Sequence, residues 1–283
     1  MIPATHYRHS NRLSLLWLPP ALAVCGAIAF VAAFVYAYVM VYVPVVQLAF
    51  LLPLLFGAGM GAVIAFVLKK AKVRSPFIAT GIAFLVTAGS YALSWIPWTY
   101  ATFARADVPG LTFLDVLWPP SLVAMIAGIY ETGAWSIGTG GGEAVSGVML
   151  GVCWLMEALF VLGVVPFVAY GVAAGGVFCE KCERWCTYAS DVMRLPVSAQ
   201  RELAPRLDDR DLRVLTEVPR AQPYDNPFLV VDLAMCSGCG ETNTLSLTHV
   251  HRTQQGNREQ IARTRVVDHV LLTREQAEWV RRG

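Results

Sequence analysis

The stretch Val177-Phe178-Cys179-Glu180-Lys181-Cys182-Glu183-Arg184-Trp185-Cys186 divides the chain into two chemistries. Upstream of it, Val145 to Phe178 is an apolar run whose one charged residue is Glu157. Counting outward, Leu13 to Phe178 holds five basic and five acidic residues, whereas Cys179 to Gly283 holds 15 of each. The whole chain is 56% hydrophobic and 15% charged, against about 25% charged for a typical soluble domain. The deficit is confined to the first part, so lipid is its expected solvent and water that of the second. A net charge of +2 is too small to argue for an acidic partner, and there is no specific nucleic-acid signal.

A membrane-crossing helix needs about 20 apolar residues. Leu18 to Val43, Val45 to Leu68, Phe77 to Trp98 and Val145 to Phe178 meet that requirement. They predict an N-terminal tail over 1–12 and a four-helix transmembrane domain over 13–178. Arg8 and Arg12 before an apolar run resemble a secretory signal, but the run continues to Val43, far beyond a signal's short core. Val43-Pro44 predicts a tight hairpin between the first two spans. Trp17, Tyr42, Trp95, Trp98 and Tyr100 sit near predicted span ends, where aromatic rings favour the headgroup layer.

Lys69, Lys70, Lys72 and Arg74 lie between spans two and three, and Arg8 and Arg12 precede span one. The 99–144 loop carries one basic and four acidic residues. Positive charge marks the cytoplasmic side, so the expected protein is a multi-pass protein of a bacterial-type inner (plasma) membrane. Both termini are then cytoplasmic and the 99–144 loop extracytoplasmic. Leu111 to Tyr130 is apolar but contains Asp115 and Pro119-Pro120. A proline pair breaks the backbone ladder that lipid demands, so Leu122 to Tyr130 is read as a short interfacial or re-entrant helix. A fifth span there would place the C-terminal domain outside.

Three small-residue pairs, Gly57/Gly61, Gly147/Gly151 and Gly171/Gly175, have the spacing that lets helices approach closely. They serve either packing within the bundle or a homo-oligomer. Glu157 is an intramembrane acid, a functional candidate by default, or else a neutral acid bonded to a neighbouring helix. Pro166 removes one donor from the same helix. Gly138 to Gly142 lacks the Lys-Ser/Thr of a phosphate loop and is read as a joint. Cys25 and Cys153 are small hydrophobes. No metalloprotease, nucleophile-elbow or dinucleotide motif occurs, and no catalytic residue is assigned.

The Cys179/Cys182 pair is followed, after 53 intervening residues, by Cys236-Ser237-Gly238-Cys239-Gly240. Two CxxC pairs supply four thiolates, and the two-residue gap lets both sulfurs of a pair reach one tetrahedral ion. Gly238 and Gly240 permit the tight turn. Phe228 to Met235 reads as a strand, Asn243 to Thr253 alternates, and Gln255-Gly256-Asn257 turns into a third run, Glu259 to Leu272. Ser198 to Leu207 and Asp208 to Val218 read as helices, with Asp208-Asp209 favourable at a helix start, so 187–225 is expected to be a helical insertion. Thr273 and Gln276 form a capping box for a last helix.

On these paired cysteines and strands, Cys179 to Cys186 with Asn226 to Leu272 resembles the zinc-ribbon group. The resemblance implies a small α+β domain over 179–283 and one structural zinc per chain held by Cys179, Cys182, Cys236 and Cys239. It implies no activity, since ribbons serve many functions. The gap is longer than the usual ~15–20 residues, and Cys186 is a fifth cysteine that could replace Cys182. His249 and His251 share a strand face and are read as surface residues. Disulfides suit an oxidising side, a redox CxxC a βαβ context, and an iron–sulfur cluster could use Cys179, Cys182 and Cys186.

The expected function is therefore a membrane protein whose cytoplasmic zinc domain binds, scaffolds or senses an unknown protein partner without catalysis. The alternatives are an oligomeric transporter or channel subunit using Glu157 and gated by the zinc domain, and a membrane redox or iron–sulfur protein.

Overall fold

The structure is a computed structural model describing residues 5–42, 46–134, 144–222, 224–255 and 258–282; for 46–50, 255 and 258 it describes the backbone. Val43-Pro44, Gly138 to Gly142, Pro223 and the turn residues Gly256 and Asn257 lie outside the described residues. The chain divides into two units, Asn11–Gly175 and Met1–Ser10 with Gly176–Gly283.

The first unit is helical: α1 (Leu18–Tyr42), α2 (Val46–Lys70), α3 (Pro76–Arg105), α4 (Phe113–Leu117), α5 (Pro119–Thr132) and α6 (Gly147–Ala174). Among the described residues α1, α2, α3 and α6 are long and apolar enough to cross a membrane. Ser75 caps α3, its Oγ accepting the Ile78 N–H at 3.4 Å, and Pro76 takes the first turn, where a missing N–H costs nothing. The third helix does not stop at Trp98. It carries Pro97 within it and runs to Arg105, so the following connection begins later than residue 99. Pro119 and Pro120 do not interrupt a helix but start one, because fixed φ suits the first turn. The resulting α5 has 14 residues, about 21 Å at 1.5 Å per residue, short of the ~30 Å hydrocarbon layer.

The α2–α6 contact rests on glycine. A Cβ at Gly57 would collide with the Val161 carbonyl, and one at Gly61 would lie 3.1 Å from the Val165 oxygen. This pair therefore serves packing within the unit. Gly147 and Gly171 face open space.

The second unit contains a two-stranded hairpin, β1 (Phe178–Cys179) with β2 (Arg184–Trp185), then β3 (Thr187–Pro196), α7 (Gln200–Asp208) and α8 (Val214–Glu217). It continues with β4 (Phe228–Met235), β5 (Asn243–Gln255), β6 (Arg258–Leu272) and α9 (Arg274–Arg282). An antiparallel sheet runs in the order β3-β4-β5-β6. The expected helical insertion over 187–225 is corrected at its start, because Thr187–Pro196 is a strand paired with β4. The cause is a bulge between Ala189 and Met193, where Asp191 adopts a φ of 59° and its N–H reaches Asp232 Oδ1 at 3.0 Å. A bulge breaks strict alternation, which removes the period-two signal. Asp208-Asp209 ends α7 and does not begin a helix.

Period-two alternation in β4 sends Leu229, Val231 and Leu233 into a core with Leu203 and Leu207 of α7, Leu215 of α8 and Val280 of α9. The opposite face carries buried polar groups. Thr248 Oγ1 donates to Asp232 Oδ2 at 3.2 Å, and His269 Nδ1 lies 3.2 Å from both Thr244 Oγ1 and Ser246 Oγ. Thr273 and Gln276 exchange both capping-box bonds at the start of α9.

The N-terminal residues, expected as a tail, belong to this unit. His6 pairs antiparallel with Val270, the Tyr7 N–H donates to the His269 carbonyl at 2.9 Å, and the Leu271 N–H donates to the Thr5 carbonyl at 2.9 Å. They extend the sheet at its β6 edge.

Candidate metal centre

Two turns build the site. The first joins β1 to β2 and carries Cys179 and Cys182; the second joins β4 to β5 and carries Cys236 and Cys239. In each, the residue after the second cysteine has a left-handed backbone: Glu183 at φ 48° and Gly240 at φ 65°. Glycine adopts that conformation without penalty. The Gly240 N–H closes the second turn on the Cys236 carbonyl at 3.1 Å, and the Cys236 N–H donates to the Thr242 carbonyl at 3.0 Å. Gly238 is required by proximity, since a Cβ there would sit 2.9 Å from Cys182 Sγ.

The sulfurs of Cys179, Cys182, Cys236 and Cys239 all lie within 4.8 Å of one another. Cys179 Sγ is 3.5 Å from Cys239 Sγ, which is 3.7 Å from Cys236 Sγ. These separations are far beyond the ~2.05 Å of a disulfide. Four sulfurs held about 2.3 Å from one tetrahedral ion would stand about 3.8 Å apart, so the donor set fits a single ion. Among the described residues this is the one such group of His, Cys, Asp and Glu side chains.

The thiol electrostatics point the same way. The hydrogen-bonding Cys239 thiol, then burial and Cys236, push Cys182 up to about 12. Burial also pushes Cys236 up, but N–H groups of Cys239 and Gly238 with the Cys179 and Cys239 thiols outweigh it, and Cys236 settles at about 6. Like charges this close cannot all ionise unaided, and a divalent cation is the group that lets a coordinating thiol lose its proton. The Glu241 N–H donates to Cys239 Sγ at 3.4 Å.

Cys186 is not the fourth member; Cys182 is. Cys186 Sγ lies 3.6 Å from the Thr242 carbonyl, and its buried side chain packs beside Cys179, Ala234 and Cys236. His249 and His251 are on β5, outside the cluster. Glu157 belongs to the helical unit, where it accepts a hydrogen bond from Tyr36.

Several supporting residues carried no signal in the sequence. The Phe178 N–H donates to Tyr7 Oη at 3.0 Å, so an N-terminal side chain anchors β1. Lys181 of the first turn forms an ion pair with Glu241 of the second. Only Glu183 was readable in principle, because it holds the same offset from its CxxC as Gly240. Compared with known proteins, the chain matches no family model, no curated sequence and no solved structure, so the reading of this site rests on its own geometry.

Proposed function

We propose that this is a four-span protein of a bacterial-type inner membrane, whose cytoplasmic zinc-ribbon-like domain recognises or scaffolds a protein partner without catalysis. One structural zinc is held by Cys179, Cys182, Cys236 and Cys239. The observation that carries the reading is the cage of four sulfurs within 4.8 Å. A closed Cys₄ set leaves no coordination position for a substrate, and metal binding supplies folding free energy to a small domain. A cage of this span suits one ion, which disfavours a cluster of several irons.

Topology is supported from two directions. Residues Thr5 to Tyr7 pair with β6, which supports an even number of spans with the N-terminal segment and the C-terminal unit on one side. The basic Lys69–Arg74 segment makes that side the cytoplasm. A cleft of about 640 Å³ beside the second turn, walled by Ser237, Gly238, Arg274, Glu278, Arg281 and Arg282, is where we place the partner. Its arginine excess favours acidic side chains.

Elemental analysis of the purified full-length protein should return one zinc per chain. Cys236→Ser should lose the metal and unfold the C-terminal unit, by circular dichroism in the strand region. A wild-type domain that is folded and metal-free would overturn the reading; iron in place of zinc would overturn the assignment of the ion.

A further inference from the structure

The helical unit holds a half-buried carboxyl group that the metal-centre reading does not use. Glu157 is the one acidic residue in α1, α2, α3 and α6. Its Oε1 accepts the Tyr36 O–H at 2.5 Å. Tyr36 is buried and stacks on Phe56 with ring centres 4.3 Å apart. Tyr91 of α3 packs into the same cluster with Tyr36, Val161 and Ala158, and it lies within electrostatic reach of Glu157. The Tyr91 side chain is 9% exposed, and its buried hydroxyl makes no hydrogen bond. A buried tyrosine hydroxyl ordinarily finds a partner, and leaving one unmade is costly. One turn along α6 from Glu157, Trp154 meets Trp95 and Trp98 edge-on at 5.0 and 5.9 Å.

A carboxyl placed only for packing would have its surroundings satisfied. Here an acid and a spare hydroxyl share one water-poor cluster, and ionisable groups inside membrane helices mark proton and ion paths. The oxygen count decides between those ligands. Hard metal ions take about six or more oxygens, whereas Glu157, Tyr36 and Tyr91 offer four. A proton needs one.

We propose that Glu157, positioned by Tyr36 and flanked by Tyr91, is an exchangeable proton-binding site inside the helical unit. The carboxylate takes one proton to become the neutral acid, with the O–H formed on Oε2 because Oε1 already accepts from Tyr36. Release reverses that single step and needs no other reactant. Among the described residues, the titratable groups facing Glu157 are Tyr36 from α1 and Tyr91 from α3. From α2, Phe56 and Leu52 face the cluster, and from α5, Tyr130 faces Trp154.

The test is infrared difference spectroscopy of the full-length protein in lipid nanodiscs as pH is changed. The expected result is a protonated-carboxyl C=O band that appears and disappears reversibly, is lost in Glu157→Gln, and titrates at a shifted midpoint in Tyr91→Phe. A Glu157 band that is constant at every pH, as a fixed packing acid would give, overturns the proposal, as does a titrating band that survives Glu157→Gln. Should Glu157→Gln fail to fold, dicyclohexylcarbodiimide modification of the wild-type protein, mapped by mass spectrometry, decides the matter. Adduct at Glu157 that declines as pH rises supports proton exchange; adduct independent of pH, or none, overturns it.

Discussion

Among the described residues, the cluster joining α1, α2, α3 and α6 has 14 buried members, eight of them alanine. The cluster between the sheet and α7–α9 has 18, of which one is alanine and most are leucine or valine. Few large apolar side chains, among them Met60, Ile64 and Leu68, lie in that helical cluster, and many lie on its outside: Phe167 is 84% exposed and Leu85 70%. Leu229, Leu233 and Leu245 of the sheet are fully buried. In water, removing large side chains from solvent is the driving force. Between helices in lipid that force is absent, so small residues face inward to let backbones approach and large ones face the tails. The alanine-rich helical interior is what that rule expects of helices long and apolar enough to cross a membrane.

The sharpest way to break this comparison is to remove what the C-terminal unit needs and the helical unit does not. Chelation of the metal at mildly acid pH should unfold the C-terminal unit, since structural zinc contributes on the order of 10 kcal/mol. The helical signal in circular dichroism should persist. Leu229→Ala should lower the stability of the sheet unit by about 2–5 kcal/mol, read by denaturant unfolding followed in the strand region of circular dichroism. Gly57→Ala should destabilise the helical unit by about 1–3 kcal/mol through overpacking against Val161, measured as a lower melting temperature in detergent with the metal content unchanged.

A subtler effect concerns the polar face of the sheet. Burial, opposed by Asp268 and assisted by Arg265, holds His269 below the usual histidine range. The unfolded chain therefore binds the proton first, near pH ~6.5. The stability gained from a neutral His269 is present above that pH and is lost as pH falls toward the folded value. His269→Gln should flatten this part of a stability-against-pH curve. The smallest effect is expected from Phe167→Ala, within about 0.5 kcal/mol in a bilayer mimic. A loss as large as that of Leu229→Ala would mean that Phe167 faces protein and would refute the inside-out arrangement.

Much of this was legible in residue order. The four apolar helices, the strands at Phe228–Met235 and Asn243–Thr253, the α9 capping box and the four cysteines each follow from short-range spacing. What escaped has identifiable causes. The β3 strand is hidden by its bulge at Asp191, and the first turn of α5, a helix read only from Leu122 to Tyr130, by prolines that read as breakers. The CxxC spacing favoured Cys182 and left Cys186 as a possible substitute; the β1–β2 turn brings Cys182, and not Cys186, to the second cysteine pair. The Tyr36–Glu157 bond spans 121 residues, beyond any local pattern.

The division of labour follows from range. Composition and periodicity by themselves determined that one part of this chain suits lipid and the other water, and that two cysteine pairs are spaced to share an ion, because solvent preference and turn geometry are properties of a few neighbouring residues. Only the tertiary structure decided which four sulfurs meet, that the first residues complete the last sheet, that Gly57 and Gly61 are used within the helical unit, and that Tyr36 and Tyr91 gather around Glu157. Those are contacts between segments far apart in the chain, and packing selects them.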